Sequence, residues 1–326
     1  MGSVTSLSDQ RLMAAALALS DRGRARTGTN PNVGCLIVKN GRIIGRGWTQ
    51  AGGRPHAEAM ALAEAGAAAQ GATAYVTLEP CAHNSPRGPA CADSLIAAGL
   101  THVVVALTDP DPRTNGQGIA RMRAAGLVVE TGLMAAEARR AMAGWLMQQH
   151  QGRPLITLKL ATSLDGCIAT ATGESRWITG DAARAHGHLE RARSTMILVG
   201  GQTLRTDDPA LTVRLAGLEA RSPAKAVLTR GAAPDGWQAL ATPQAVHGLA
   251  GVPYLLIEGG AGAAAAFVSA GLVDRLLLYR APVLLGGGQP CLGDIGLAHL
   301  AAAHDQWHLI DTRLLGKDRL ELYERA

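Results

Sequence analysis

The sequence predicts an α/β protein of two domains. Two observations carry this. Short β-branched runs alternate with helical stretches along the chain, and the alternation restarts with a fresh strand near residue 151. At 326 residues the chain is also long enough for two cores. The domains are placed at 1–150 and 151–326. Aromatic residues make up only 3% of the chain, so both cores must be built from Ala, Leu, Val and Ile.

Ser6-Leu7-Ser8-Asp9 is a capping box, with Ser6 as N-cap and Asp9 three residues on. It opens a predicted helix that runs to Ser20 and carries Leu12, Met13, Ala16 and Leu17 on one face. Val33 to Val38 is a strand. Asn40-Gly41 suits a type I′ turn, which needs positive φ at both central residues, and Ile43 to Trp48 is the returning strand. A helix follows over His56 to Ala69, then a strand over Ala74 to Leu78 that runs into Glu79-Pro80-Cys81. Ala90 to Ala98 and Gly118 to Ala125 are helices, and His102 to Leu107 and Leu127 to Glu130 are strands. One helix, Ala135 to His150, closes this half. Beyond Gln151-Gly152-Arg153-Pro154, strands are predicted at Leu155 to Leu160, Met196 to Val199, Ala224 to Leu228, Tyr254 to Ile257 and Arg275 to Tyr279. From Arg230 to Pro253 the glycines and prolines are dense enough to predict loop and turn rather than buried strand.

The formal charge of +5 suits an anionic small substrate as well as it suits nucleic acid. Neither half carries a block of like charge, so no nucleic-acid arm is expected. Five scattered cysteines do not make a disulfide framework and point to a reducing compartment. The start of the chain lacks the layout of a signal peptide, and no apolar run approaches the roughly 20 residues of a membrane span. The expectation is a cytoplasmic protein with no membrane partner.

His56-Ala57-Glu58, Pro80-Cys81 and Cys91 converge on one chemistry. One imidazole and two thiolates suit zinc, and three protein ligands leave a fourth position for water, as in catalytic sites. Zinc brings the pKa of such a water to around 7. Glu58, two residues from a ligand and in the same helical turn, can shuttle a proton without binding the metal. Each piece alone is weak. A His-x-Glu is common, Pro80 can simply start a helix, and Cys91 can be a buried thiol. Together, in this order, they match a zinc-deaminase signature. Cys35, Cys167, Cys291, His83 and His102 have no such company and are expected to be structural.

The stretches Gly28 to Gly34 (GTNPNVG), Pro55 to Glu58 (PHAE) and Thr77 to Cys81 (TLEPC) resemble the bacterial bifunctional deaminase/reductase family of riboflavin biosynthesis. Lys159 to Gly166 (KLATSLDG), Glu174 to Gly180, Gly201 to Arg214, Ile257 to Gly260 and Ala281 to Gly288 carry the same resemblance through the second half. It implies a cytidine-deaminase-like three-layer domain followed by a dihydrofolate-reductase-like domain. It also implies a diaminopyrimidinone substrate bearing a ribosylamino phosphate, and a homodimer formed through the reductase domain. The first domain would replace a ring amine by a carbonyl. The second would reduce the ribose to a ribityl chain with NADPH. By the same resemblance His56, Cys81 and Cys91 hold Zn2+, Glu58 is catalytic and Asn30 contacts the pyrimidine. Ser175, Arg191, Leu211, Arg214 and Glu258 meet the substrate in the reductase, while Ala161, Trp177, Thr203, Asp207 and Gly260 meet NADPH. The types fit: Arg191 and Arg214 can bind phosphate through charge-assisted hydrogen bonds, and Gly260 opens an Ala-rich helix whose N-terminus can receive a dinucleotide phosphate.

The chain departs from the family pattern twice. Nine residues rather than the usual eight separate Cys81 from Cys91, with Pro86-Arg87-Gly88-Pro89 among them. The stretch from Arg230 to Val252 is short for the family, which predicts a trimmed cofactor groove and weakened NADPH binding. Two other functions stand beside this one. A nucleic-acid deaminase, acting for instance on tRNA, uses the same zinc chemistry, but it needs a basic, aromatic-bearing surface and leaves the second half unexplained. A deaminase with a dead reductase-like dimerisation domain is the third.

Overall fold

The computed structural model describes residues 6–83 and 88–326. Pro86 and Arg87 of the inter-cysteine loop lie outside the described residues. The chain divides into two compact units, Met1–Leu146 and Met147–Ala326.

In the first unit α1 (Leu7–Ser20) begins with the expected capping box, in which Asp9 N–H donates to Ser6 Oγ and Ser6 N–H to Asp9 Oδ2. β1 (Gly34–Lys39) and β2 (Arg42–Trp48) form the expected hairpin, with Asn40 at φ 51° and Gly41 at φ 73°. After α2 (Ala57–Ala65) come β3 (Thr73–Val76), α3 (Cys91–Ala97), β4 (His102–Val105), α4 (Gln117–Ala124) and β5 (Val128–Thr131). The predicted closing helix is two helices, α5 (Ala135–Ala141) and α6 (Ala143–Gln151), because Met142 leaves helical geometry at φ −106° and ψ 14°; the unit boundary after Leu146 falls within α6. The sheet order is β2-β1-β3-β4-β5, antiparallel about β1 and parallel from β3 to β5. Gly45 and Gly47 of β2 let α2 lie on the strand, since a Cβ at either would fall about 2 Å from an α2 carbonyl oxygen. His102, expected to be structural, lies 3.0 Å from Glu130 on the next strand.

The second unit contains β6 (Leu155–Thr162), β7 (Cys167–Ala169), α7 (Asp181–Ala192), β8 (Met196–Gly200), α8 (Gly201–Asp207), β9 (Ala224–Leu228), β10 (Trp237–Leu240), β11 (Tyr254–Ile257), α9 (Ala261–Ser269), β12 (Arg275–Arg280), β13 (Gln289–Pro290), β14 (Trp307–Leu315) and β15 (Asp318–Arg325). Its eight-stranded sheet runs β10-β9-β8-β11-β6-β12-β15-β14. The strands from β10 to β12 are parallel neighbours, and β15 and β14 add an antiparallel edge. The expectation of loop alone between Arg230 and Pro253 is corrected by β10, a parallel strand beside β9, with Leu240, Val246 and Leu249 buried in the core. The middle of β10, Gln238 and Ala239, is exposed, as befits an edge strand, so flanking glycines and prolines are tolerated there. α8 and α9 both begin at the carboxyl ends of adjacent parallel strands, β8 and β11, which is where α/β sheets bind ligands.

Candidate functional site

His56 is the N-cap of α2 and Cys91 is the first residue of α3. Cys81, for which a helix start was an alternative reading, lies instead in the loop after β3. The structure brings the three together. His56 Nδ1 is 3.2 Å from Cys91 Sγ and 3.7 Å from Cys81 Sγ, and the three ligand atoms lie within 4.8 Å of one another. Zinc bonds of the usual length in tetrahedral array put N and S ligand atoms roughly 3.5 Å apart, so the cluster fits zinc. The first N–H of α3, that of Cys91, donates to Cys81 Sγ at 3.3 Å. Cys81 is drawn down to about 4 by its hydrogen bond with the Cys91 side chain and by His56, while that same bond and burial push Cys91 up. A divalent cation between them favours thiolate at both.

Glu58 is buried, 3% exposed, on the first turn of α2. Burial raises its pKa to about 7, with nearby Cys81 adding to the rise. A cation at the cluster acts in the opposite direction. A carboxyl group that exchanges protons near neutrality is what a proton shuttle needs.

Asn30 sits in the turn before β1, where its Nδ2 donates to the Thr27 carbonyl at 3.2 Å. It packs so closely on Gly53 that a Cβ there would fall 2.0 Å from Asn30 Nδ2. Gly52 N–H donates to Arg26 O at 2.9 Å, so the Asn30 turn is tied to the segment leading into His56.

Sequence reasoning missed Glu79. Its buried carboxylate accepts from the backbone N–H groups of Asp109 (3.2 Å), Gly116 (2.9 Å) and Ile119 (3.1 Å), clamping that loop beside Cys81. Gly118 makes the approach feasible, since a Cβ there would lie 2.1 Å from Pro80 O. Asp109 in this loop is raised to about 6, mainly by burial.

In the second unit a cavity of about 630 Å³ opens at the carboxyl ends of the parallel strands. All the expected cofactor positions line it: Ala161, Trp177, Thr203, Asp207 and Gly260. So do all the expected substrate positions of this half: Ser175, Arg191, Leu211, Arg214 and Glu258. Gly260 is the N-cap of α9, and its N–H donates to Thr203 Oγ1 at 3.1 Å. Gly259 permits this closeness, because a Cβ there would meet Gly200 N and Ala263 Cβ at 3.3 Å. Asp207 ends α8. Asp208 (φ 37°) caps it in left-handed geometry, and Leu211 (φ 52°) adopts the same region, which is uncommon for a bulky residue.

Arg191 is less available than expected. Its Nε donates to Glu258 Oε1 at 2.7 Å, its Nη2 to Glu258 Oε2 at 2.9 Å, and its Nη1 to Thr212 O at 3.0 Å. Arg214, by contrast, is exposed at the cavity rim. Lys159 is a second residue that sequence reasoning missed. Its Nζ is 3.8 Å from Glu258 Oε2 and 5.7 Å from the centre of the Tyr279 ring. The signal was a lone cation inside the apolar run Leu155–Thr162.

Comparison with known proteins finds a family match for each unit. Residues 6–107 match the model described as the cytidine and deoxycytidylate deaminase zinc-binding region, and residues 154–318 match the RibD C-terminal domain. The riboflavin biosynthesis protein RibD of Escherichia coli (strain K12) is 40% identical, over 96% of this chain and 98% of its own. That of Aquifex aeolicus (strain VF5) is 37% identical, over 89% and 91%. The solved structure of Acinetobacter baumannii RibD, form 1, superposes with a TM-score of 0.86 at 36% identity, covering 98% of this chain and 99% of that one. A diaminohydroxyphosphoribosylaminopyrimidine deaminase/5-amino-6-(5-phosphoribosylamino)uracil reductase from Thermotoga maritima superposes with a TM-score of 0.85 at 27% identity, covering 97% and 98%. The α/β fold is thus cytidine-deaminase-like in the first unit and dihydrofolate-reductase-like in the second.

Proposed function

The chain belongs to the RibD family of bifunctional riboflavin-biosynthesis enzymes, a zinc-dependent deaminase joined to an NADPH-dependent reductase, and we propose which of its residues carry the two reactions. The observation that supports the reading best is that one chain holds both sites: the His56, Cys81 and Cys91 cluster beside buried Glu58, and a cavity lined by every expected reductase position.

The substrate of the deaminase is a diaminopyrimidinone bearing a phosphoribosylamino group. His56, Cys81 and Cys91 hold the zinc, which supplies the Lewis acidity that makes water nucleophilic at neutral pH. Glu58 accepts the proton lost by water and returns it to the departing amine, so that ammonia leaves as the ring carbonyl forms. Asn30 orients the pyrimidine.

The reductase takes the deaminated product. NADPH supplies the hydride that converts the ribosyl to the ribityl chain. Gly260, Thr203, Asp207, Ala161 and Trp177 bind the cofactor, with the α9 N-terminus turned to its phosphates. Ser175, Leu211, Arg214 and Glu258 bind substrate. Arg214 meets the phosphate, and Arg191 acts mainly by fixing Glu258 and the Thr212 carbonyl.

The test is incubation with the diaminopyrimidinone phosphate, with and without NADPH, followed by mass spectrometry. Without NADPH the expected result is ammonia release and exchange of one amine for oxygen. With NADPH the product gains two further hydrogens. Release of ammonia from tRNA but not from this substrate would overturn the reading.

The enzyme is further expected to be a homodimer through its reductase unit. β14 ends the eight-stranded sheet and carries Leu309 and Leu314, 55% and 76% exposed, a face suited to a second copy. Among the described residues no helix is long and apolar enough to cross a membrane, and all five cysteines are free. The expected place of action is the cytoplasm, on a small molecule. Light scattering checks the dimer, and a monomer at micromolar concentration would refute it.

A further inference from the structure

The loop that presents Arg214 is pinned at three successive residues. The Thr212 carbonyl accepts from Arg191 Nη1 at 3.0 Å, and Val213 N–H donates to Ser222 Oγ at 3.0 Å. The third pin is Arg214 itself, whose backbone N–H donates to His188 Nδ1 at 3.3 Å. A backbone N–H can only donate, so Nδ1 of His188 is an acceptor and the ring is neutral, with its proton on Nε2. Burial, then Arg191 and Arg214, hold the His188 pKa below its ordinary value, outweighing Glu258 and a hydrogen bond with the Thr212 backbone, and so favour that neutral form. His188 lies on α7 one turn before Arg191, and both line a smaller recess of about 160 Å³ together with Arg214, Glu258, Lys159 and Tyr279.

We propose that His188 is a positioning residue of the reductase: through Nδ1 it holds the Arg214 backbone and so fixes where the Arg214 guanidinium meets the substrate's phosphate. The loop needs such a hold. Leu211 keeps a left-handed backbone three residues earlier, a conformation that persists only when its surroundings enforce it. Arg191 reaches the carbonyl of Thr212 and Ser222 the amide of Val213, but among the described residues only His188 bonds the amide of Arg214. The proposal rests on the reading that Arg214 receives the phosphate.

His188→Leu removes the acceptor and keeps an apolar side chain on the helix. Loss of one hydrogen bond of this kind is worth roughly a three- to tenfold change. The reductase KM for the phosphoribosylamino-uracil substrate should therefore rise about three- to tenfold. The kcat and the Kd for NADPH should stay within about twofold, because the cofactor half of the cavity is untouched. His188→Asn places an amide oxygen near the position of Nδ1 and should restore KM. A Leu variant with wild-type KM overturns the proposal. So does an Asn variant as impaired as the Leu variant, since the bulk of the ring rather than its acceptor would then matter. Should the Leu variant fail to fold, the Asn variant decides alone: an unchanged KM supports the proposal and a raised KM sinks it. Arg214→Ala tests the underlying reading separately. If it leaves KM unchanged, the phosphate assignment fails. If it raises KM while His188→Leu does not, only the role of His188 fails.

Discussion

Arg191 and Glu258 form a two-pronged ion pair whose third arm, Arg191 Nη1, reaches the Thr212 carbonyl, so one guanidinium joins α7 to both β11 and the Arg214 loop. The two side chains are only 15% and 12% exposed. Removing one partner strands a largely buried charge. Arg191→Met should destabilise the reductase unit toward the lower end of the roughly 3–5 kcal/mol typical of broken buried pairs. Burial raises the Glu258 pKa, but Lys159 and Arg191 outweigh it, and the net shift is downward. A depressed carboxylate contributes stability that is present above the ordinary glutamate range and lost as pH falls through the lower folded value. Calorimetry from pH 7 to acid checks both points. An Arg191→Met protein that melts like the parent contradicts them.

The second prediction is metal content. One zinc per chain is expected, and Cys81→Ser should lose both the metal and deamination while leaving NADPH oxidation intact. Elemental analysis and separate assays of the half-reactions check it. Full zinc occupancy in Cys81→Ser would show that the ligand set is wrong.

Glu58→Gln should separate zinc from turnover. Glu58 is assigned to proton transfer rather than ligation, so the metal should stay and ammonia release should fall by about 10²–10⁴-fold. In the parent enzyme, deamination should decline as Glu58 protonates. That midpoint should lie at or below about 7, because burial raises the group to about 7 and the cation lowers it. Wild-type ammonia release from Glu58→Gln rules the assignment out.

The zinc cluster was legible in the sequence because its ligands come in short runs, His56-Ala57-Glu58 and Pro80-Cys81, whose spacing is itself the signal. The reductase cavity was legible only through family resemblance. Ser175, Arg214 and Glu258 come from separate elements, and no local pattern joins them. Glu79 was missed because its partners are backbone amides 30 to 40 residues away. His188 was missed for the same reason, its partner lying 26 residues on. The β14–β15 hairpin is a different case. Leu320 and Leu322 alternate with Arg319 and Glu321, a period-two signal that was present in the sequence. The break at Met142 left one weak mark in the sequence, Gly144 two residues on, which by itself does not end a helix.

The last prediction concerns the short stretch between β9 and β11. Its brevity leads to the expectation that one side of the cofactor groove is trimmed and that NADPH binds weakly. The structure adds a physical element to that question. Trp237 of β10 packs on the cluster of Ile197, Val199, Leu211 and Leu256, and Lys225 lies over its ring at 5.5 Å. Leu211 holds its left-handed backbone inside that cluster and lines the cavity, so β10 braces the loop on which Arg214 sits. Trp237→Ala should cost the reductase unit roughly 1–3 kcal/mol, the range for losing a partly buried packing contact. It should also raise the KM for substrate and the Kd for NADPH together, because the loop from Asp207 to Arg214 carries contacts to both. Deamination should not change, since none of its ligands belongs to this unit. Titration calorimetry with NADPH, on the parent and on Trp237→Ala, supplies the Kd values, and steady-state kinetics supply KM. Weak binding in the parent supports the trimmed groove. Identical binding in the two proteins would show that β10 does not brace the loop.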